Sequence, residues 1–223
     1  MKKARLKRKM KIIPGYFKRL RLKEKNFSII SNNCWGGMVY DNFALPYLSP
    51  TIGLFFMSND YIKFLKNIKY YLGGELKQIS WKDTPFKEFL YSNKEQYKRS
   101  LDKNLDDLII CQLYDIYIVF LHYDSFDEAS HKWYRRSKRI NFDNMIVKFN
   151  DQNEYSKDDF VAFEKLPYKN KIFYTADNSI PFSTSKNILI MYLSQYKNAG
   201  HVLDDMKLSE QDFNLTKFLN SLQ

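Results

Sequence analysis

The segment Phe27–Gly37 (FSIISNNCWGG) carries the most chemistry in this sequence. A short apolar run turns abruptly into small polar residues and a thiol, Cys34. Open α/β folds bind ligands outside the carboxyl ends of strands, where the chain turns into the next helix. A thiol there sits near a helix N-terminus, which lowers its pKa and raises its reactivity. Covalent chemistry from such a thiol also needs a base within reach. His122 is the best-placed base, because it ends the apolar run 116–121 and precedes a capped helix. Asp124 or Glu128 would orient its imidazole. Gly36 and Gly37 would let backbone N–H groups approach an anion or a developing oxyanion. Asn32, Asn33, Trp35 and Tyr40 complete the turn as substrate contacts. The alternative gives Cys34 a packing role and His122 a hydrogen-bonding one.

Other candidates are weaker in context. Lys132, Arg135, Arg136, Lys138 and Arg139 cluster toward the end of one helix. They either complement the helix dipole or clamp phosphate, with Arg135 or Arg136 as the clamp. Asn141, Asp143 and Asn144 read as turn formers before a strand, and His131 as a solvated helix residue. His201 and Asp205 have an acyltransferase-like His-x-x-x-Asp spacing without supporting residues around them. The sequence has no P-loop, no G-x-G-x-x-G, no Asp-x-Asp and no metal-type Cys/His cluster. No metal and no cofactor is therefore expected.

The elements that must position these residues follow from periodicity and breakers. Strands are expected at 27–31, 51–57, 76–80, 145–149, 171–174 and 188–192. Runs 108–113 and 116–122 flank Tyr114-Asp115 as a hairpin. Helices are expected at 38–45, at 61–72 after a Ser58-Asn59-Asp60 cap, at 156–166 and at 215–222. Residues 82–103 read as mixed helix and loop. The clearest helix is 125–139, where Ser125 and Glu128 form a capping box and Phe126, Ala129, Trp133, Ser137 and Ile140 an inward stripe. Alternating strands and helices predict an α/β fold: a three-layer sandwich with a mostly parallel sheet and one antiparallel hairpin or edge. Parallel neighbours would bring Cys34 and His122 to one sheet edge.

The chain has 223 residues and a net charge of +11, concentrated at one end. Residues 1–25 hold twelve Lys or Arg against Glu24 alone, and the charges of residues 26–223 cancel. Leu6, Met10, Ile13, Phe17 and Leu20 recur at helical spacing, with Pro14-Gly15 dividing the run. This predicts a basic amphipathic arm, residues 1–25, on an anionic membrane surface, and one α/β domain over 26–223. A neutral body argues against nucleic acid as a partner. Two cysteines give no disulfide scaffold, and no apolar run is long enough to span a bilayer. A cytoplasmic protein, peripheral on the inner face of the membrane, is the expectation.

Several of these stretches together resemble one bacterial family: Ser31–Tyr40, Ser49-Pro50-Thr51 with Leu54-Phe55, Phe120–Tyr123 with Glu128-Ala129, Trp133 and Arg136, and Arg139-Ile140-Asn141 with Asn144. It is a domain of unknown function often labelled an exopolysaccharide (capsule) biosynthesis protein and found among surface-glycan genes. The likeness covers about residues 26–175 and implies an α/β fold and a role in making or decorating surface polysaccharide. It implies no particular reaction. It adds Tyr123, Trp133, Asn141 and Asn144 to the substrate contacts. The expected activity is transfer to or from a glycan precursor, with a nucleotide-sugar or acyl donor; acyl, glycosyl and phosphoryl transfer stay open. The alternatives are a non-catalytic glycan-assembly or binding module, and a cysteine hydrolase built on Cys34 and His122.

Overall fold

The structure, a computed structural model, describes residues 14–177, 179–180, 188–193 and 215–221. Among the described residues eight strands form two sheets. The first is parallel, in the order β1 (Ser28–Ser31), β6 (Met145–Asn150), β7 (Asn170–Thr175), β8 (Ile188–Tyr192). The second is antiparallel, in the order β2 (Leu54–Phe55), β5 (Ile116–Phe120), β4 (Ile109–Leu113), β3 (Lys77–Ile79). The hairpin anticipated from the sequence is therefore the centre of a sheet of its own. Its turn places Tyr114 at φ 55°, a costly conformation for a bulky residue. The Tyr114 ring stacks on Tyr70 at 4.4 Å, which helps hold it there.

β1 and β6 are buried along their whole length, as expected of parallel strands covered on both faces. Their side chains alternate between two cores. Ile29, Ile146 and Ile172 meet helix α1 (Trp35–Asn42) and α8 (Leu215–Ser221) on one face. Ile30, Val147 and Phe173 face the other core. Helices α2 (Ser58–Lys66), α3 (Ile68–Leu72), α6 (Phe126–Ser137) and α7 (Lys157–Glu164) fill that core together with Ile118 and Phe120 of the second sheet. Val119 and Ile110 point to the opposite face of the second sheet, beneath α4 (Lys87–Ser92) and α5 (Lys94–Leu101). Helices thus lie on both sides of the sheets, in a three-layer α/β arrangement.

Some elements differ from expectation for identifiable reasons. α1 begins three residues earlier than predicted and takes both glycines into its first turn. A Cβ on Gly36 would stand 3.0 Å from Ile29 Cγ2, and one on Gly37 3.1 Å from Ile52 Cγ2. Gly36 lets the helix lie close on β1 and Gly37 lets it lie close on the segment that carries Ile52, so both glycines, expected as anion contacts, have a packing role. The helix expected over 61–72 is two helices, broken at Asn67. Asp60 does not cap it; its carboxylate accepts the Tyr117 N–H of β5 at 3.1 Å. Ser125 and Ser156 cap α6 and α7 as the sequence predicts.

Residues 14–20 are helical, and Leu22 is buried in the core beside Leu215 and Leu219. Residues 1–13 of the expected arm lie outside the described residues, as do His201 and Asp205. Among the described residues no helix is long and apolar enough to cross a membrane.

Candidate functional site

The carboxyl ends of β1, β6 and β7 gather polar side chains on an otherwise apolar sheet. Lys148, fully buried near the end of β6, donates to Asn33 Oδ1 at 3.1 Å and Asn32 Oδ1 at 3.3 Å. Its ammonium also lies 5.6 Å from the centre of the Tyr174 ring. Asn32 Nδ2 donates to Asn150 Oδ1 at 2.7 Å, and Asn150 Nδ2 to Gln152 Oε1 at 2.8 Å. One step further, Asp151 accepts from the Thr175 hydroxyl at 2.9 Å and the Ala176 N–H at 2.7 Å. Asn33, Cys34 and Gln152 are half-buried and form the rim; Asn32, Lys148 and Asn150 form the floor. Asn33 Oδ1 also accepts the Trp35 N–H at 3.1 Å, tying the rim to the first turn of α1. The positive end of the α1 dipole and the buried ammonium both favour negative charge here.

Cys34 and His122 approach each other by a route the sequence did not reveal. They do not end neighbouring parallel strands, since β5 belongs to the second sheet. β2 runs antiparallel to β5, so the segment entering β2 lies beside the segment leaving β5. The Leu121 and His122 N–H groups donate to the Gly53 carbonyl at 2.9 and 3.1 Å. Gly53 has φ +69°, and a Cβ there would stand 3.2 Å from His122 Cβ, so glycine is required on both counts. The Cys34 thiol contacts the next carbonyl, that of Leu54, at 3.8 Å. The two residues therefore flank the Gly53–Leu54 segment, and among the described residues no hydrogen bond joins them. The Phe56 N–H donates to the Asn32 carbonyl at 3.0 Å, bringing the end of β2 to the end of β1.

The carboxylates do not orient His122. Glu128 accepts the Asp124 N–H at 3.0 Å and pairs with Lys132. Those hydrogen bonds hold its pKa below the usual carboxylate value. Asp124 is exposed on the α6 N-terminal turn. His122 keeps a solvent-exposed face, but partial burial of its ring, and then the nearby Lys103 ammonium, lower its pKa. The imidazole is thus predominantly neutral at pH 7 and able to accept a proton.

The remaining sequence candidates separate. Arg135 is exposed, whereas Arg136 is 6% exposed, donates to the Tyr123 hydroxyl at 2.7 Å and lies 4.8 Å from the centre of the Tyr47 ring. The Tyr123 hydroxyl in turn donates to the Ile52 carbonyl, so Arg136 and Tyr123 pin the loop that borders β1. Trp35, Tyr40 and Trp133 are core residues, each exposed by 1% or less. The Tyr40 hydroxyl accepts the Ile29 N–H at 2.8 Å and secures β1. Asn141 and Asn144 contact the Asn26 carbonyl, and the Asn141 N–H reaches Ser28 at 2.8 Å. They therefore sit at the opposite end of β1 from Cys34. His131 is exposed, as expected.

The sequence reading passed over Lys148, Asn150, Asp151, Gln152 and Thr175. Their signal was present: a lysine inside the apolar run Met145–Phe149, followed directly by Asn-Asp-Gln where the strand ends.

The matching family model is described as "Domain of unknown function (DUF1919)" and covers residues 5–222. The chain belongs to that family. A relative in Haemophilus influenzae, described as an uncharacterized protein, is 28% identical over 155 residues. The match takes in 70% of this chain and 64% of the relative, so the chain spans under two thirds of that protein's length.

Proposed function

We propose that this DUF1919 member is a transferase acting on a surface-polysaccharide precursor, with its donor held at the carboxyl edge of the parallel sheet. The observation that carries this reading is the convergence of Lys148 with the amides of Asn32, Asn33, Asn150 and Gln152. A buried ammonium beside a helix N-terminus suits a phosphate, and fixed amides suit sugar hydroxyls. His122, neutral at pH 7, takes the proton of the acceptor nucleophile. Cys34, on the rim, contacts the donor. Charge neutralisation falls to Lys148, because Arg136 is committed to Tyr123 and Tyr47.

A place on the inner membrane face is part of the same proposal. On the helical stretch 14–20, Tyr16, Phe17 and Leu20 are 54%, 61% and 61% exposed, beside Lys18, Arg19 and Arg21. Exposed aromatic and aliphatic residues among cations suit an anionic lipid surface. Leu22 is a core residue, so the test is F17E/L20E rather than deletion of the arm. The double variant should keep its fold and lose sedimentation with anionic vesicles; undiminished sedimentation removes the membrane assignment.

A non-catalytic binding module is favoured by one observation: among the described residues no carboxylate is hydrogen-bonded to His122, and Glu128 is engaged elsewhere. Thermal shifts against nucleotide sugars, acyl-CoA and polyprenyl phosphates test both readings. A ligand at 100 times its Kd stabilises by about 2.7 kcal/mol. A donor shift lost in C34A but retained in H122A, with transfer abolished in H122A, supports the transferase. A shift without transfer in the wild type supports the binding module. No shift with any donor rejects the site.

A further inference from the structure

A polar groove lies on the second sheet, outside the donor site. It consists of two adjoining hollows of about 490 and 380 Å³ that share Gln78, Asp106 and Leu108. β3, which among the described residues ends the second sheet and pairs with β4 alone, supplies Gln78. One end is walled by Trp81. Its indole N–H donates to Asp106 Oδ1 at 2.8 Å, which fixes the ring, and Tyr91 stacks on it at 6.5 Å and 19°. Tyr91 is 52% exposed. The other end is lined by Lys103, Asp124 and Ser125. The Lys103 ammonium there bonds the Tyr123 carbonyl at 2.5 Å and is close enough to His122 to affect its titration.

We infer that this groove binds a neutral saccharide chain, with Trp81 as its stacking platform. A pyranose presents an apolar C–H face and a rim of hydroxyls. An immobilised indole meets the first, and the Gln78 amide, Ser80 hydroxyl and Asp106 carboxylate meet the second. Asp106 Oδ2 makes no hydrogen bond among the described residues, leaving an acceptor for a sugar hydroxyl. The charge of the walls selects among glycans. Among the residues lining the two hollows, Asp102, Asp106, Asp107 and Asp124 outnumber Lys103. With Lys82, whose ammonium lies 5.7 Å from the centre of the Trp81 ring, the balance is still negative, so uronic-acid or phosphorylated chains are repelled. Where the transfer proposed above operates, this chain is the acceptor, because Lys103, which lines one end of the groove, is close enough to His122 to affect its titration. As a binding surface it stands without that reading.

The test is an array of neutral and acidic oligosaccharides probed with the full chain, followed by fluorescence titration of the best neutral binder. Trp35 and Trp133 are buried, so among the three tryptophans Trp81 reports contact. Neutral oligosaccharides should bind, acidic ones at least tenfold more weakly. W81A and D106N should each weaken binding at least tenfold with circular dichroism unchanged; D106N carries the test if W81A does not fold. No neutral binder, preference for acidic glycans, or binding unaffected by both variants overturns the inference. Saccharide binding sensitive to W81A without any donor shift keeps the groove and rejects the transferase. A donor shift without saccharide binding does the reverse.

Discussion

Replacing Asp60 with asparagine should stabilise the protein at pH 7, and the gain should shrink on acidification. The Asp60 side chain leaves α2, accepts the Tyr117 N–H of β5 and is 8% exposed. Burial raises its pKa from 3.8 to about 6, against the opposing effects of that hydrogen bond and Lys63. The folded state therefore binds this proton more tightly than the unfolded chain. Its stabilising contribution is complete below pH 3.8 and is lost as pH rises through 6. The difference between 6 and 3.8, at 1.36 kcal/mol per unit, corresponds to about 3 kcal/mol between the acid limit and neutral pH. Evaluated by linkage, about 1.3 kcal/mol of that falls between pH 5 and pH 7. Asparagine has the same shape, keeps an acceptor for Tyr117 and carries no charge. Urea unfolding of both proteins at pH 5 and 7 isolates the effect, because every other titrating group is common to them. The variant's advantage should be about 1.3 kcal/mol smaller at pH 5. An advantage that is constant or larger at pH 5 would refute an Asp60 carboxylate strained by burial.

Three further outcomes follow from local geometry. A Cβ at Gly74 would stand 2.5 Å from the Tyr114 ring and 2.7 Å from Leu113, whereas one at Gly73 meets only ordinary contacts at 3.5 Å. G74A should lose about 1–3 kcal/mol in chemical denaturation and G73A almost nothing; equal effects would contradict the packing. Cys34 is half-buried, while Cys111 is buried in β4 with its pKa pushed up to about 12. Ellman's reagent should label one thiol in the native protein and two after unfolding, and fast native labelling of both would show Cys111 to be accessible. Tyr123→Phe removes the hydroxyl shared by Ile52 and Arg136. It should cost about 1–3 kcal/mol in urea unfolding, and a neutral result would mean that Arg136 has another anchor.

The sequence carried local structure better than pairing. β1, the hairpin, and the capped helices after Ser125 and Ser156 stand close to where periodicity and caps put them. These signals are written within about ten residues of chain. Strand order is not: Leu54↔Phe120 and Ser28↔Met145 are contacts across 66 and 117 residues, and no local pattern distinguished one sheet from two. The site followed the same division. Cys34, Asn32 and Asn33 were found because strand-to-helix turns are local features. Lys148 was passed over because a lone lysine in an apolar strand reads as a surface residue until both faces of the sheet are known to be covered. Trp133 and Arg136 lie on one face of α6; a family likeness suggested ligand contact for the first and the basic cluster a phosphate clamp for the second, where the structure gives them packing and loop-anchoring roles.

The most direct test of the central claim is amide hydrogen exchange on the full chain, with and without each nucleotide sugar, acyl-CoA or polyprenyl phosphate at saturating concentration. The account predicts that one donor class slows exchange at residues 31–37 and 148–152, and that Lys148→Met abolishes the protection while the remaining exchange pattern stays native. Protection centred elsewhere in the fold, or none with any donor, would contradict a donor site at the carboxyl edge of the parallel sheet.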